Sequence, residues 1–327
     1  MNILITGGVG FIGTNAAIYF SKNKKNKITL IDNFSRVGVD KNAQFLKEDF
    51  PKIKIINSYV GAIKNYEEEI KTANAIIHLA GQTAVTMSIK KPHYDFKNNL
   101  LESFILLDFI RRKNPKATIL YSSTNKVYGD LKRRLYSRHQ KPIDEDEKLD
   151  FISPYGCSKG AADLYFLDYG RIYGLKTVVF RQSCIYGPHQ IGVEDKGWVA
   201  HFAKQFLLKK PITIFGDGHQ VRDLLYVKDL IKAYQLAIKN IDKVKGQPFN
   251  IGGGINNTYS LLQVINILDK YFKYKMKLSY QPIRVGDQKY FVSANKKIKK
   301  LLGWQPTTDF NKGIKRLIYW QKNNIAV

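Results

Sequence analysis

Residues 1–32 leave few folds open to this chain. Met1-Asn2-Ile3-Leu4-Ile5-Thr6 is an apolar run of strand length. Gly7-Gly8-Val9-Gly10-Phe11-Ile12-Gly13 follows with no spacer, and a helical run continues from Thr14 to Phe20. Glycines three apart, at Gly7, Gly10 and Gly13, suit a tight strand-to-helix turn. There, backbone N–H groups can approach a pyrophosphate at the helix N-terminus, and the helix packs closely on the strand. A second strand, Lys27 to Ile31, ends in Asp32, about twenty residues past the turn, where a carboxylate accepts both hydroxyls of an adenosine ribose and repels a 2′-phosphate. The pattern predicts a dinucleotide site that favours NAD over NADP, a preference softened by Arg36 just beyond.

The following segments extend that unit. Ile53–Ile56, Ala75–His78 and Thr118–Ser122 read as strands, separated by helices such as Tyr66–Lys71 and Leu100–Arg112. Such alternation predicts an α/β fold of Rossmann type, a doubly wound parallel sheet, with a smaller C-terminal substrate-binding lobe. The division expected is residues 1–180 for the nucleotide domain, with some later segments returning to it, and 181–327 for the lobe. Ligands bind beyond the C-terminal ends of parallel strands. Three polar or glycine-bearing stretches fall there: Thr6-Gly7, Leu79-Ala80-Gly81-Gln82 and Ser122-Ser123-Thr124.

Tyr155-Gly-Cys-Ser-Lys159 follows the last of these by about thirty residues. The spacing of Ala161, Leu164, Tyr165 and Leu167 predicts a helix over Ser158–Leu167, and residues four apart share a helical face. Lys159 is therefore expected beside Tyr155. A free phenol has a pKa near 10, so a phenolate base at neutral pH needs about 4 kcal/mol of differential charge stabilisation. An adjacent ammonium and the positive ring of an oxidised nicotinamide can supply it in a shielded site.

Composition narrows the partners. The formal net charge of +26 raises nucleic acid or an anionic membrane as candidates. Lys and Arg are spread through the chain, however, at Lys22 to Lys27, Lys132 to Arg138, Lys204 to Lys210 and Lys296 to Lys300, with no recognisable nucleic-acid module. We read a solvated basic surface that steers an anionic substrate, with no nucleic-acid or membrane partner. The six histidines offer no metal-ligand spacing, so no metal is expected. Cys157 and Cys184 make no redox pair and suit small apolar sites in a reducing cytoplasm. A strand starting at Met1 leaves no room for a signal peptide, and no apolar run reaches the ~20 residues of a membrane span. Between Asp130 and Asp150 a basic cluster, Lys132 to Arg138, precedes an acidic one, Asp144 to Glu147. This reads as a solvated surface insertion.

Further motifs follow in order: His78-Leu79-Ala80-Gly81, Asn99, Ser122 to Gly129, Phe180-Arg181, Ile185-Tyr186-Gly187-Pro188, Arg222-Asp223, Asn250-Ile251-Gly252-Gly253 and Leu302-Gly303-Trp304-Gln305-Pro306. With the glycine turn, Asp32 and Tyr155 to Lys159, they make the chain resemble, along nearly its whole length, the extended short-chain dehydrogenase/reductase superfamily of NAD-dependent nucleotide-sugar epimerases and dehydratases. Tyr121 to Leu131, Ser153 to Asp163, Gly197-Trp198-Val199 and Gln220 to Asp223 are similar to the branch that inverts C2 of CDP-3,6-dideoxyhexoses, CDP-paratose and CDP-tyvelose.

The resemblance implies NAD along Gly7, Gly10, Phe11, Ile12, Gly13, Asp32, Asn33, Arg36, Leu79, Ala80, Gly81, Gln82, Asn99, Ser122 and Ser123. It implies that Thr124 bonds the reacting hydroxyl, that Tyr155 is the base, and that Lys159 binds the nicotinamide ribose and lowers the tyrosine pKa. Arg222 matches the clamp on the sugar-nucleotide diphosphate, and Arg284 with Asp287 a second nucleotide segment. Asn125, Gln182, Ser183, Trp198 and Val199 fall on the substrate side, although Trp198 also suits a core position. Arg181 fits either a functional role or a buried ion pair. A homo-oligomer through a helix pair is implied as well. A hexose 4-epimerase acting on UDP-sugars shares the same Thr-Tyr-Lys chemistry. A non-catalytic NAD-sensing protein is the reading from another class. A 4,6-dehydratase is disfavoured because Asn125-Lys126 stands where that branch has Asp-Glu. Two departures stand out: Tyr59 where an adenine-contacting Asp is usual, and Leu101-Glu102-Ser103 in place of Gly-Gly-Thr.

Overall fold

In the computed structural model, which describes residues 1–131 and 141–324, the apolar runs become the centre of one parallel sheet. Its first six strands are β1 (Asn2–Thr6), β2 (Lys27–Asp32), β3 (Lys54–Asn57), β4 (Ala75–His78), β5 (Thr118–Thr124) and β6 (Lys176–Gln182). After β7 (Cys184–Tyr186), β8 (Ile212–Phe215) and β9 (Val221–Tyr226), the chain returns through β10 (Gln247–Ile251) to pair in parallel with β6. The sheet order is β10-β6-β5-β4-β1-β2-β3. The strand order switches sides between β1 and β4, which is where a doubly wound sheet opens a crevice. Both faces are buried, one under a cluster built on Ile3, Ile5, Leu30 and Val178, the other under Leu4, Ile76, Ile119 and Val179. This double burial explains why the strands read as continuous apolar runs and not as alternating ones.

The lobe has a smaller sheet in which β9 pairs with β7, β11 (Thr258–Ser260) and β13 (Tyr290–Phe291), while β12 (Leu278–Gln281) pairs with β8. Its own core joins Phe202, Phe206, Leu224 and Phe310.

Three expectations change. The helix carrying Tyr155 spans Ser153–Tyr173, beginning five residues earlier than the apolar spacing predicts. Ser153 starts it with φ 72° and accepts from Gly156 N on Oγ (3.3 Å), and Pro154 sits in the first turn where its missing N–H is harmless. Cys157 is exposed rather than packed, and Cys184 is partly buried; neither is bonded to the other. The basic cluster of the insertion lies outside the described residues. Its acidic half is not simply solvated: Ile143 is fully buried and bonds to Val292 and Ala294 through its backbone, and Glu145 accepts from Asn250 N (2.7 Å). Among the described residues no helix is long and apolar enough to cross a membrane, and no group of three or more His, Cys, Asp or Glu is placed to hold a metal.

Candidate active site

The glycine turn is built as its spacing requires. Gly7 has φ +67°, and a Cβ there would lie 2.8 Å from Ala80 N; at Gly13 it would lie 2.3 Å from Gly7 O. Neither position has room for a side chain, so the helix Phe11–Ser21 seats directly on the turn. At the end of β2, Asp32 accepts from Val9 N on Oδ2 (3.2 Å) and from Phe34 N on Oδ1 (3.0 Å). Burial pushes its carboxyl up, while those N–H groups and Arg36 pull it down. A side-chain-free cradle followed by a fixed carboxylate fits a dinucleotide: pyrophosphate against Gly7, Gly10, Phe11 and Ile12, ribose on Asp32.

Three adjoining cavities run along the C-terminal strand ends. The first, about 280 Å³, is lined by Asp32, Asn33, Ser58, Ala80, Gly81, Gln82 and Glu102. The second, about 460 Å³, shares Gly7, Gly10, Arg36 and Leu79 with it and adds Phe11, Ile12, Gly13, Ser123, Thr124 and Tyr155. The third, about 190 Å³, shares Lys126, Trp198, Arg284 and Asp287 with the second and reaches Phe215 and Arg222. Together they form one cleft from the ribose carboxylate to a cationic end.

Tyr155 stands in the middle, 7% exposed, and lines the same cavity as Thr124. Thr124 lies at the tip of β5. Its Oγ1 donates to Asn125 Oδ1 (3.3 Å) and accepts from Lys126 N (3.3 Å). Burial pushes the phenol above its ordinary value and Asp95 adds to this; the Thr124 side chain and Arg36 pull it down. Lys159 shares the helix face, but its ammonium donates to Ser122 O (2.5 Å) and lies 4.3 Å from the centre of the Tyr121 ring. Burial lowers its pKa to about 7 against the pull of Asp163 and Asp95.

Lys159, Ser122 and Asn99 sit behind the cavity lining. Ser122 Oγ accepts from Gln182 Nε2 (2.7 Å), and Asn99 donates to Asp95 Oδ1 (3.0 Å) and Ser158 Oγ (3.2 Å). Ser123 donates to Asp163 Oδ2 (2.6 Å), and Gln82 to Asp95 Oδ1 (2.8 Å). Arg36 donates to Thr83 Oγ1 across the cleft.

On the substrate side, Asn125 donates to Gln288 Oε1 (3.0 Å), and Ser183 to the Asp223 carbonyl (3.0 Å). Gln182, Ser183, Trp198 and Val199 line the second cavity. Trp198 does double duty, stacking edge-on against Phe202 at the rim of the lobe core. Arg222 is buried, donating to Val221 O (2.7 Å) and Gln288 O. Arg284 lies over Phe215, 3.4 Å from the ring centre, and pairs with Asp195 (3.2 Å).

Lys126 escaped the sequence reading. Its ammonium donates to Gly286 O (2.8 Å), approaches Asp287 (3.7 Å), and is lowered to about 8 by burial and then by Arg222. The only sequence signal was its place two residues past Thr124; its meeting with Arg222 is a product of the fold.

The sequence profile of the NAD dependent epimerase/dehydratase family matches residues 3–252. The CDP-paratose 2-epimerase of Salmonella typhi is 41% identical over 96% of this chain and 97% of that protein. Two crystal structures superpose over almost all of both chains. The UDP-glucose 4-epimerase of Thermotoga maritima with UDP-glucose has TM-score 0.86 at 29% identity and covers 100% of each chain. The UDP-glucuronic acid 4-epimerase of Bacillus cereus, in complex with UDP-glucuronic acid and NAD, has TM-score 0.85 at 26% identity and covers 99% of each.

Proposed function

This chain belongs to the NAD-dependent epimerase/dehydratase family, and from that premise we propose that it inverts C2 of a CDP-3,6-dideoxyhexose, interconverting CDP-paratose and CDP-tyvelose. It is an NAD-dependent nucleotide-sugar epimerase. The observation that carries the reading is the Tyr155–Thr124 pair in the lining of one cavity, set where the dinucleotide half of the cleft meets the half lined by Lys126, Arg222 and Arg284.

A carbinol carbon with no acidic C–H is inverted by oxidation to a ketone, presentation of the opposite face, and reduction. NAD, when bound, supplies the reversible hydride acceptor for this chemistry and leaves the reaction unchanged. The residues of the chain do the remaining work. Tyr155 takes the hydroxyl proton and later returns it, while Thr124 fixes the oxygen within reach. Lys159, its ammonium held by Ser122 O and the Tyr121 face, sets positive potential behind the phenol. Arg222, Lys126 and Arg284 grip the diphosphate and base end, so that the sugar can turn over while its anchor holds. The lowered pKa of Lys126 supports this role, since an incoming diphosphate offsets the burial and the neighbouring Arg222 charge that lower it.

The test is incubation with a panel of CDP- and UDP-sugars, followed by NMR of the ring protons. Inversion at C2 of the CDP-sugar supports the proposal. Inversion at C4 of a UDP-hexose replaces it with the second reading, which the UDP-sugar complexes among the similar structures favour. Exchange of the C2 proton with deuterated solvent refutes transient oxidation.

The partly exposed apolar residues Leu164, Tyr165, Ile172 and Tyr173 on the helix Ser153–Tyr173, with Leu101 nearby, support a homo-oligomer through this helical face. Sedimentation of Leu164→Glu beside the parent protein tests it; unchanged mass excludes this face. Unpaired cysteines and a soluble nucleotide substrate support a cytoplasmic setting.

A further inference from the structure

The first cavity lies at the end of the cleft opposite the cationic one. In a doubly wound sheet whose second strand ends in a ribose-binding carboxylate, the adenine lies beyond that carboxylate, toward the C-terminal end of the third strand. That is where Ser58, Val60 and Glu102 join Asp32 in the lining. Tyr59, which occupies the position of the usual adenine-contacting Asp, points elsewhere: it is 52% exposed and has Lys97 above its ring. A carboxylate reaches the same place from another element. Glu102 opens the helix Glu102–Lys113 and is 5% exposed. Its Oε2 accepts from Val60 N (3.1 Å) and Gly61 N (3.4 Å), and among the described residues Oε1 has no protein partner. The turn is shaped around it, since a Cβ at Gly61 would lie 3.3 Å from Glu102 Cγ.

We propose that Glu102 is the adenine-recognition residue of this chain, its Oε1 accepting a hydrogen bond from the exocyclic amino group of bound NAD. The two departures noted in the sequence are then one change. The carboxylate lost after β3 is regained at the start of the helix, where the Val60 and Gly61 N–H groups hold it in place. A carboxylate is an acceptor only, so it welcomes the adenine amino group and repels the carbonyl oxygen that replaces it in nicotinamide hypoxanthine dinucleotide.

This inference rests on the NAD reading of the cleft, and the experiment separates the two. The purified protein is equilibrated with an equal mixture of NAD and nicotinamide hypoxanthine dinucleotide, and the bound pair is quantified by mass spectrometry after denaturation. The wild type is expected to retain NAD in at least about tenfold excess, the discrimination typical of a site whose buried group is left unpaired by the wrong ligand. Glu102→Gln keeps an oxygen for Val60 and Gly61 and turns an NH₂ toward the cavity, so the ratio should fall to about one or invert. Glu102→Asp withdraws the oxygen while keeping the charge; it too should lose several-fold of the preference, and it serves if the Gln variant does not fold. An unchanged ratio in these variants, or a wild-type ratio near one, overturns the proposal and leaves Glu102 as a clasp on the turn. A wild type that retains neither dinucleotide overturns the cofactor reading and this inference with it.

Discussion

Replacing Tyr155 with Phe should abolish turnover while leaving the fold and nucleotide binding almost untouched, and the structure says why the two effects separate. The ring is 7% exposed on the sheet-facing side of its helix, and Phe keeps every ring contact. Only the hydroxyl goes. Its neighbour Thr124 is not orphaned, because Thr124 Oγ1 still donates to Asn125 Oδ1 and accepts from Lys126 N. The stability cost is therefore at most that of one hydrogen bond with a satisfied neighbour, about 1 kcal/mol or less. For a chain of this size that moves the melting temperature by roughly 2 °C. Loss of a general base costs about 10²–10⁴ in rate, or ~3–5 kcal/mol of barrier. Turnover is measured by NMR of the CDP-sugar at saturating concentration, CDP affinity by calorimetry, and unfolding by scanning calorimetry. A variant that keeps more than about a tenth of kcat, outside the range a general base supplies, refutes the assignment of Tyr155. A fall in melting temperature of more than about 5 °C would mean that the hydroxyl has a structural load the geometry does not show.

The groups around the phenol predict its titration. Thr124→Val and Arg36→Gln remove influences that lower its pKa and should move the acid limb of kcat to higher pH; Asp95→Asn removes one that raises it and should move the limb down. Lys159 titrates near 7 in the fold against an ordinary 10.5, so between these values the unfolded chain binds more protons and stability rises with pH. The melting temperature of the NAD-free protein should climb from pH 7 to 10, with Lys159→Met stabilising it at pH 6 and flattening the climb; a pH-independent parent protein contradicts the burial of this charge. Lys126→Met and Arg222→Met should each raise KM for the sugar nucleotide by roughly tenfold or more, the worth of a charge-assisted hydrogen bond, and weaken the salt dependence of kcat/KM. A loss confined to kcat would place them at the reacting carbon.

What the sequence made legible was whatever depends on local pattern. The strands announce themselves because both sheet faces are buried, and the glycine turn because Gly7 and Gly13 have no space for a side chain. Tyr155 and Lys159 fall on one helix face as their spacing requires. What stayed hidden depends on contacts between distant segments. Lys126 gains its meaning from Arg222 and Asp287, which no local periodicity connects to it. The direction of the Lys159 ammonium follows from where the carbonyl of Ser122 points at the end of β5. Glu102 looked like a loss of helix–turn glycines; only its bonds to Val60 and Gly61 show a carboxylate in position.

The least legible piece is also the one that holds the elements bearing Tyr155 and Thr124 together. Arg181, ambiguous in the sequence, is buried with its guanidinium in a two-pronged pair with Asp163, Nε to Oδ2 and Nη2 to Oδ1, each 3.0 Å. Its remaining arm donates to the Tyr128 hydroxyl (3.1 Å), and Ser123 Oγ donates to the same Asp163 carboxylate (2.6 Å). One charge pair thus ties β6, the tip of β5 and the helix Ser153–Tyr173 together, two turns along from Tyr155 and one residue before Thr124. A buried pair of this kind is a poor source of net stability, because desolvation offsets most of its attraction. Its value is geometric. Proton transfer is sensitive to donor–acceptor distance, and here the two elements that bear the phenol and the threonine are held by bonds whose directions, unlike those of apolar packing, admit one arrangement. On the proposed reading the mobile demands of the reaction fall instead on the sugar, anchored by Arg222 and Arg284, so that the part that must turn and the part that must not are carried by different elements of the fold.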